Sequence, residues 1–226
     1  MKTFVVGDIH GHLRALDSLL DTVPFSPDDL VIFLGDYVDK GPDTKDVLDR
    51  LVSLSSRPNT VFLRGNHDQM LLDAHLDPTK YAIWESLAGD APLASYGPGE
   101  SSELIDQIPE SHWHFLTRTC VDFHENERFI FVHGGIRPHR SPEEEDIDHL
   151  HWLTLSMAQP HWSHRTVICG HSAQVTGKIA DLGHTICIDT GISKGGFLTC
   201  LELGSFHYWQ SSPEGRIQDA LLRQDP

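Results

Sequence analysis

Five short apolar runs in this 226-residue chain end in glycine-bracketed loops that carry Asp, Asn or His. The loops are Gly7-Asp8-Ile9-His10-Gly11, Gly35-Asp36-Tyr37-Val38-Asp39-Lys40-Gly41, Gly65-Asn66-His67-Asp68, His133-Gly134-Gly135 and Gly170-His171-Ser172. The second follows Leu30-Val31-Ile32-Phe33-Leu34, the pattern of a short buried strand. Glycine and proline keep such a loop tight, and open α/β sheets hold their ligands at the carboxyl ends of strands. A single Asp there is ordinarily a cap or turn residue, and a single His a hydrogen-bonded loop residue. Five such junctions together supply Asp8, His10, Asp36, Asn66, His133 and His171, hard-to-borderline donors suited to a pair of divalent cations.

The pattern between the loops sets the fold class. Thr3–Val6, a strand ending at Leu34 and Thr60–Leu63 alternate with helical faces at Leu13–Val23, from Asp43 to Leu54, and from about Gln69 to Leu76. This βαβαβα order requires parallel pairing with right-handed crossovers. Tyr81–Leu87 and Ile108–Arg118 read as further helices, with an exposed loop over Ala88–Ser101. The pattern then turns to β. Cys120–His124 and Arg128–His133 flank a hairpin turn, and five strand candidates follow between Thr166 and Gln210. Ser141-Pro142-Glu143-Glu144 reads as a helix start, with the acidic run to Asp148 as its front. The expectation is a mixed α/β chain of two packed sheets with helices outside. Residues 1–210 form one domain, and 211–226 a surface segment that is a short helix or a loose tail.

Charge and composition remove several classes of function. With 33 acidic against 17 basic residues the formal charge is −16, and no Lys/Arg block is present. Binding to a nucleic-acid backbone is therefore disfavoured. No apolar run approaches the roughly 20 residues that span a bilayer, and the apolar start is a strand rather than a signal peptide. A cytoplasmic protein is expected. Cys120, Cys169, Cys187 and Cys200 lie apart in apolar runs without a C-x-x-C pair, as buried reduced thiols do.

The donor set selects the metals and the chemistry. Imidazole disfavours calcium and magnesium, and the absence of a placed thiolate disfavours a structural zinc site, so two divalent ions, manganese first and then iron or zinc, fit. Asp36 is the natural bridge, since one carboxylate can share its charge between two cations. Two metals about 3.5–4 Å apart support in-line attack on phosphorus by a metal-bound hydroxide. A proton donor for the leaving alkoxide is still needed, and His67 beside Asn66 is a candidate. Asp39 either orients that imidazole or serves as a cap or salt-bridge partner.

The five loops, in this order and spacing, resemble the motif series of the PPP-type serine/threonine phosphatases of the calcineurin-like metallophosphoesterase superfamily. Ile188-Asp189-Thr190-Gly191 with Gly195-Gly196, and Ser95-Tyr96-Gly97 after Trp84, are similar to segments of its compact bacterial members. The resemblance implies a four-layer, two-sheet β-sandwich flanked by helices. It implies Asp8, His10 and Asp36 at a first metal, and Asp36, Asn66, His133 and His171 at a second. His67 would be the general acid and Asp39 its partner, with Asn66 and the residue after Asp39 touching the phosphate. Substrates would be phosphoserine or phosphothreonine in proteins, or alternatively small phosphoesters such as nucleotides and dinucleoside polyphosphates.

Three departures bear on the substrate. The family's phosphate-clamping Arg is Lys40 here, a point charge without the two-pronged geometry of guanidinium. No Arg follows Trp152 in register, which leaves Arg137, Arg140 or Arg165 as substitutes. Leu87-Ala88-Gly89-Asp90 replaces Asn-Gly-Gly at the rim. His149, His151, His161 and His164 are packing or surface residues, a substrate rim or a further metal site. Trp84, Trp113 and Phe115 read as core anchors.

Overall fold

The computed structural model describes residues 1–90 and 92–222. In chain order, β1 (Thr3–Val6), α1 (Leu13–Thr22), β2 (Leu30–Phe33), α2 (Thr44–Leu54), β3 (Thr60–Phe62), α3 (Asn66–Leu76) and α4 (Tyr81–Ala88) come first. Next are α5 (Ser101–Leu104), α6 (Glu110–His114), β4 (Phe123–Glu125), β5 (Phe129–Val132), α7 (Ile147–Trp152), β6 (Thr166–Cys169), β7 (Ala180–Asp181) and β8 (Thr185–Cys187). The chain continues through β9 (Leu198–Glu202), β10 (His207–Ser211) and β11 (Ile217–Leu221).

Two sheets result, one ordered β11-β10-β9-β1-β2-β3 and the other β4-β5-β6-β8-β7. The alternation of side chains along each strand explains why they stack. On β1 and β2, Val5 and Ile32 point between the sheets, whereas Phe4, Val6, Val31 and Phe33 face the helices. On β5 and β6, Phe129, Phe131 and Ile168 point between the sheets, while Ile130, Val132, Val167 and Cys169 pack outward with Leu150 of α7. Three apolar seams therefore separate four layers: helices, sheet, sheet, helix. Strands β1, β2 and β3 are mutually parallel, as are β5, β6 and β8, so all five loops emerge at carboxyl ends.

Several boundaries differ from the sequence expectation. Helix α3 starts at Asn66, three residues early, because Gly65 is its N-cap and Asp68 accepts the Gly65 N–H. Asn66 and His67 therefore sit on a helical first turn and not on a loop. The acidic run is not one helix front: Pro142–Glu144 is a 3₁₀ turn, and α7 begins only at Ile147. The expected helix at Ile108–Arg118 is α6 followed by a π-helical stretch at Phe115–Thr119. The C-terminal segment is neither helix nor tail over its described part, since β11 pairs antiparallel with β10 at the sheet edge. The four cysteines are free and buried. Trp84, Trp113 and Phe115 are buried. Among the described residues, no helix is long and apolar enough to cross a membrane.

Phe62 is the keystone of the helix-side seam beneath the site. Its ring stacks on Phe33 at 5.0 Å and 11°, and meets Phe115 edge-on at 5.0 Å and 72°. Phe62→Ala should lower the free energy of unfolding by about 3–5 kcal/mol, read from urea denaturation. A loss below about 1 kcal/mol would show that this stack does not hold the Phe115–Thr119 stretch to the sheet.

Candidate metal centre

The loops reach their geometry through backbone conformations that side chains ordinarily avoid. Eight non-glycine residues among those described have left-handed φ, and five of them are His10 (46°), Asp36 (53°), Asp39 (69°), Lys40 (65°) and His171 (61°). Each such residue costs about 1–3 kcal/mol unless its surroundings impose it. Here they do. The Asp68 carboxylate accepts the N–H groups of Gly65 (2.9 Å), Asp36 (2.8 Å), Tyr37 (3.0 Å) and Val38 (3.4 Å), binding the second loop to the third. Tyr37 then anchors itself below by donating its hydroxyl to the Leu63 carbonyl at 2.6 Å. Glycine is required where carboxylates press against backbone. A Cβ on Gly65 would lie 2.1 Å from Asp36 Oδ1, and one on Gly170 would lie 2.1 Å from Asp8 Oδ1.

These restraints bring together the six sequence-predicted ligands. The candidate ligand atoms of Asp8, Asp36 and His133 lie within 4.8 Å of one another, as do those of His10, Asp36 and His67. Asp36 is in both groups, but the grouping differs from the sets the resemblance implies, since Asp8 falls with His133 and the expected acid His67 falls with His10. Asp36 Oδ1 also accepts the His67 N–H at 2.9 Å, which seats the carboxylate on the N-terminus of α3. The His171 N–H donates to Asp8 Oδ2 at 3.0 Å. His171 Nδ1 and His133 Nε2 each lie 2.9 Å from Asn66 Oδ1.

The tautomers test whether cations fit. His10 Nδ1 is 3.0 Å from the Val38 carbonyl and His133 Nδ1 is 2.9 Å from the Leu34 carbonyl, so both rings carry their proton on Nδ1 and a lone pair on Nε2. Those lone pairs face oxygen acceptors. His133 Nε2 is 2.9 Å from Asn66 Oδ1 and 3.3 Å from Asp36 Oδ1, and His10 Nε2 is 3.4 Å from Asp36 Oδ2. Acceptor against acceptor is repulsive unless positive charge lies between them. The nitrogen and oxygen set, without thiolate, suits divalent transition ions.

Electrostatics give the same reading. Burial, then the Asp189 and Asp36 charges, raises the Asp8 carboxyl well above its ordinary range. Burial pushes Asp36 up to about 7 and Asp189 to about 6. Burial drives His10 and His133 well down, which keeps both imidazoles neutral and able to ligate. A nest of buried carboxylates among neutral imidazoles binds protons when alone and exchanges them for metal.

Beside the nest, His67 Nδ1 lies 2.7 Å from Asp39 Oδ2, and the Trp84 indole N–H reaches both Asp39 oxygens at 3.1 and 3.2 Å. Asp39 is fully buried, and burial raises its carboxyl; Trp84 offsets part of that. Burial also lowers the His67 imidazole, against the pull of Asp36. Trp84 is thus both core anchor and hydrogen-bond donor, a role its apolar neighbours in sequence conceal.

A cleft of about 230 Å³ opens over these groups, lined by His10, Asp36, Asn66 and His67, with Lys40, Trp152, Asp189 and Lys194 among the rest. Lys40 is on the rim, its ammonium held by the Leu87 carbonyl and its backbone N–H by the Ala88 carbonyl at 2.7 Å. The departure at 87–90 therefore packs against Lys40. None of the three substitute arginines lines the cleft. Arg137 is committed to Glu145 and Asp146, and Arg165 to Glu125. The four extra histidines do not form one site: His151 binds Asp122, His161 binds the Arg140 carbonyl and Ser163, and His149 faces Glu145 and Asp146. Sequence reasoning did not single out Asp68, Asp189 or Lys194. Asp68 adjoins His67 in the third loop, and Asp189 lies in a Gly-ended post-strand segment like the others, so that signal was present.

A family model described as calcineurin-like phosphoesterase matches residues 1–189. The chain is 32% identical over 132 residues to Serine/threonine-protein phosphatase 2 of Escherichia coli K12, covering 58% of this chain and 57% of that protein. It is 35% identical over 144 residues to the symmetrical bis(5'-nucleosyl)-tetraphosphatase of Paracidovorax citrulli, covering 61% and 45%. The chain spans about half the length of the curated relatives it matches. Solved structures share the fold alone. A protein serine/threonine phosphatase from Saccharomyces cerevisiae aligns at TM-score 0.58 and 16% identity, over 100% of this chain and 81% of that one. A cold-active protein-tyrosine phosphatase of a psychrophilic Shewanella aligns at TM-score 0.58 and 18% identity, over 96% and 80%.

Asp68 touches no candidate ligand atom by its side chain, yet it ties down the loop that carries Asp36. Asp68→Ala should weaken metal binding by about 10–100-fold, measured as metal per chain after dialysis against graded manganese. Wild-type metal content in a folded Asp68→Ala protein would show that Asp36 is held by other means.

Proposed function

Because the chain belongs to the calcineurin-like phosphoesterase family, we propose that it is a metal-dependent phosphomonoester hydrolase acting on phosphoserine or phosphothreonine in proteins. The observation that carries this reading is that Asp36 lies close to Asp8 and His133 on one side and to His10 and His67 on the other, while His67 turns its Nδ1 to the buried Asp39. Asp8, His10 and Asp36 would hold one divalent ion, and Asp36, Asn66, His133 and His171 the other, with manganese first and iron or zinc next. When bound, the pair supplies Lewis acidity that lowers the pKa of water and neutralises phosphate oxygens.

The chain's own groups complete the reaction. Asn66 and Lys40 line the cleft where a phosphate would sit, Lys40 as a point charge. Nδ1 of His67 engages Asp39, so its Nε2 is the atom left to give a proton to the departing alkoxide. Asp39 fixes the orientation of the ring through Nδ1, and Trp84 fixes Asp39. The products are inorganic phosphate and the free hydroxyl, and no group on the chain is left phosphorylated.

A second reading, hydrolysis of nucleotides or dinucleoside polyphosphates, is favoured by the tetraphosphatase relatives and by a cleft whose cations among the described residues are lysines alone. Turnover of phosphopeptides against nucleotides and dinucleoside polyphosphates, in the presence of manganese, separates the two.

His67→Ala should cut turnover of an aryl phosphate by roughly 10²–10⁴ while metal content stays near wild type. Metal loss in that variant would make His67 a ligand and overturn its role as acid. Asp36→Asn should lower occupancy of both ions together in a metal titration, by more than about tenfold. Loss of a single ion would remove the bridging role.

A further inference from the structure

Beyond the two cations its ligands would hold, the cleft has positive side chains of its own in Lys40 and Lys194. It is walled by Asp36 and Asp189, with Asp8 and Asp39 buried behind, in a chain of formal charge −16. Any phosphoester entering it is itself an anion. Among the described residues no arginine lines the cleft, and its cationic side chains are Lys40 and Lys194.

Lys194 is presented by a turn built to hold it. Ile192–Lys194 is a 3₁₀ turn bracketed by Gly191 (φ 74°) and Gly195 (φ 80°), both left-handed. The N–H groups of Lys194 and Gly196 both donate to the Gly191 carbonyl at 2.9 Å. A Cβ on Gly196 would lie 2.1 Å from the Thr190 carbonyl, so only glycine lets the strand return so closely. Below, Ile192 is buried to 1% exposure and pins the turn, while Asp189 accepts the Gly191 N–H at 3.0 Å. The lysine side chain is exposed, and among the described residues no ion pair or hydrogen bond holds its ammonium. Its charge is felt at Asp189, whereas that of Lys40 is felt at His67, His10 and Asp39. The two ammonium groups therefore serve different parts of one cleft.

Resting on the phosphoesterase reading, we propose that Lys194 is a specificity-determining residue that binds a second anionic group of the substrate, adjoining the phosphate being removed. A pinned backbone carrying an uncommitted ammonium favours an anion at one place without the entropy cost of ordering a loop. A lysine that only balanced Asp189 would not distinguish one anion from two.

The test uses the full chain loaded with manganese. Pyrophosphate should bind more tightly than inorganic phosphate, and Lys194→Ala should reduce that preference about tenfold, the scale of one charge-assisted contact. Lys194→Arg should restore most of it. KM is then compared for p-nitrophenyl phosphate against a nucleoside diphosphate, and for phosphoserine peptides with glutamate or glutamine beside the phosphoserine. Loss of discrimination in the first pair identifies a second phosphate, and in the second pair a flanking carboxylate. Either supports the proposal. An unchanged pyrophosphate-to-phosphate ratio in Lys194→Ala overturns it. Calorimetric binding of the two anions gives that ratio even if wild-type protein turns over no phosphoester, an outcome that would instead sink the phosphoesterase reading.

Discussion

The structure depends on holding several carboxylates together away from water. Asp8, Asp36, Asp68 and Asp189 converge at the carboxyl ends of two sheets, where burial alone would favour their neutral forms. Each is stabilised differently. Asp68 is surrounded by backbone N–H groups, Asp36 sits on a helix N-terminus, Asp8 accepts from the His171 amide, and Asp189 from the Gly191 amide. Asp68 accepts four backbone N–H groups over its two oxygens. Asp36 faces the Nε2 lone pairs of His10 and His133, and that frustration is what a pair of cations would relieve.

From this constraint the surrounding architecture follows. Five site residues occupy left-handed backbone conformations, which persist because neighbouring glycines admit carboxylate oxygens at distances no Cβ could tolerate. The loops are thereby rigid, and rigidity is what metal ligation and in-line chemistry require. The His67–Asp39–Trp84 chain extends the same logic outward. Trp84 comes from α4, far along the chain, and couples the Asp39-bound His67 imidazole to the helix-side core. A perturbation of that core therefore reaches the imidazole through two hydrogen bonds.

Much of this was legible in the primary structure, for identifiable reasons. Period-2 and period-3.6 patterns located β1 through α3, and the two-sheet sandwich with outer helices followed. The six candidate ligands, His67 and Asp39 could be named because each lies in a short loop whose glycines announce unusual backbone. Each misplaced element has a definite physical reason. α3 begins at Asn66 because a side chain two residues inside the helix closes its own N-cap. The segment after Gln210 pairs as β11 because β10 offers it an open edge, a long-range reward that local propensity does not register. Asp43, at the N-terminal boundary of α2, makes no side-chain capping bond, and Ser95 from a distant turn accepts the Lys45 N–H at 2.9 Å instead.

The amino-acid sequence by itself determined which side chains could ligate and in what order the strands would deliver them, because donor chemistry and strand–loop periodicity are local properties. Tertiary structure alone decided which cationic side chains line the cleft. Arg137 and Arg165 look as available in the sequence as Lys194, but the fold commits them to Glu145, Asp146 and Glu125 and leaves Lys194 over the cleft. The physical reason is that a charge's availability depends on which opposite charges fold against it, and those partners come from elsewhere in the chain.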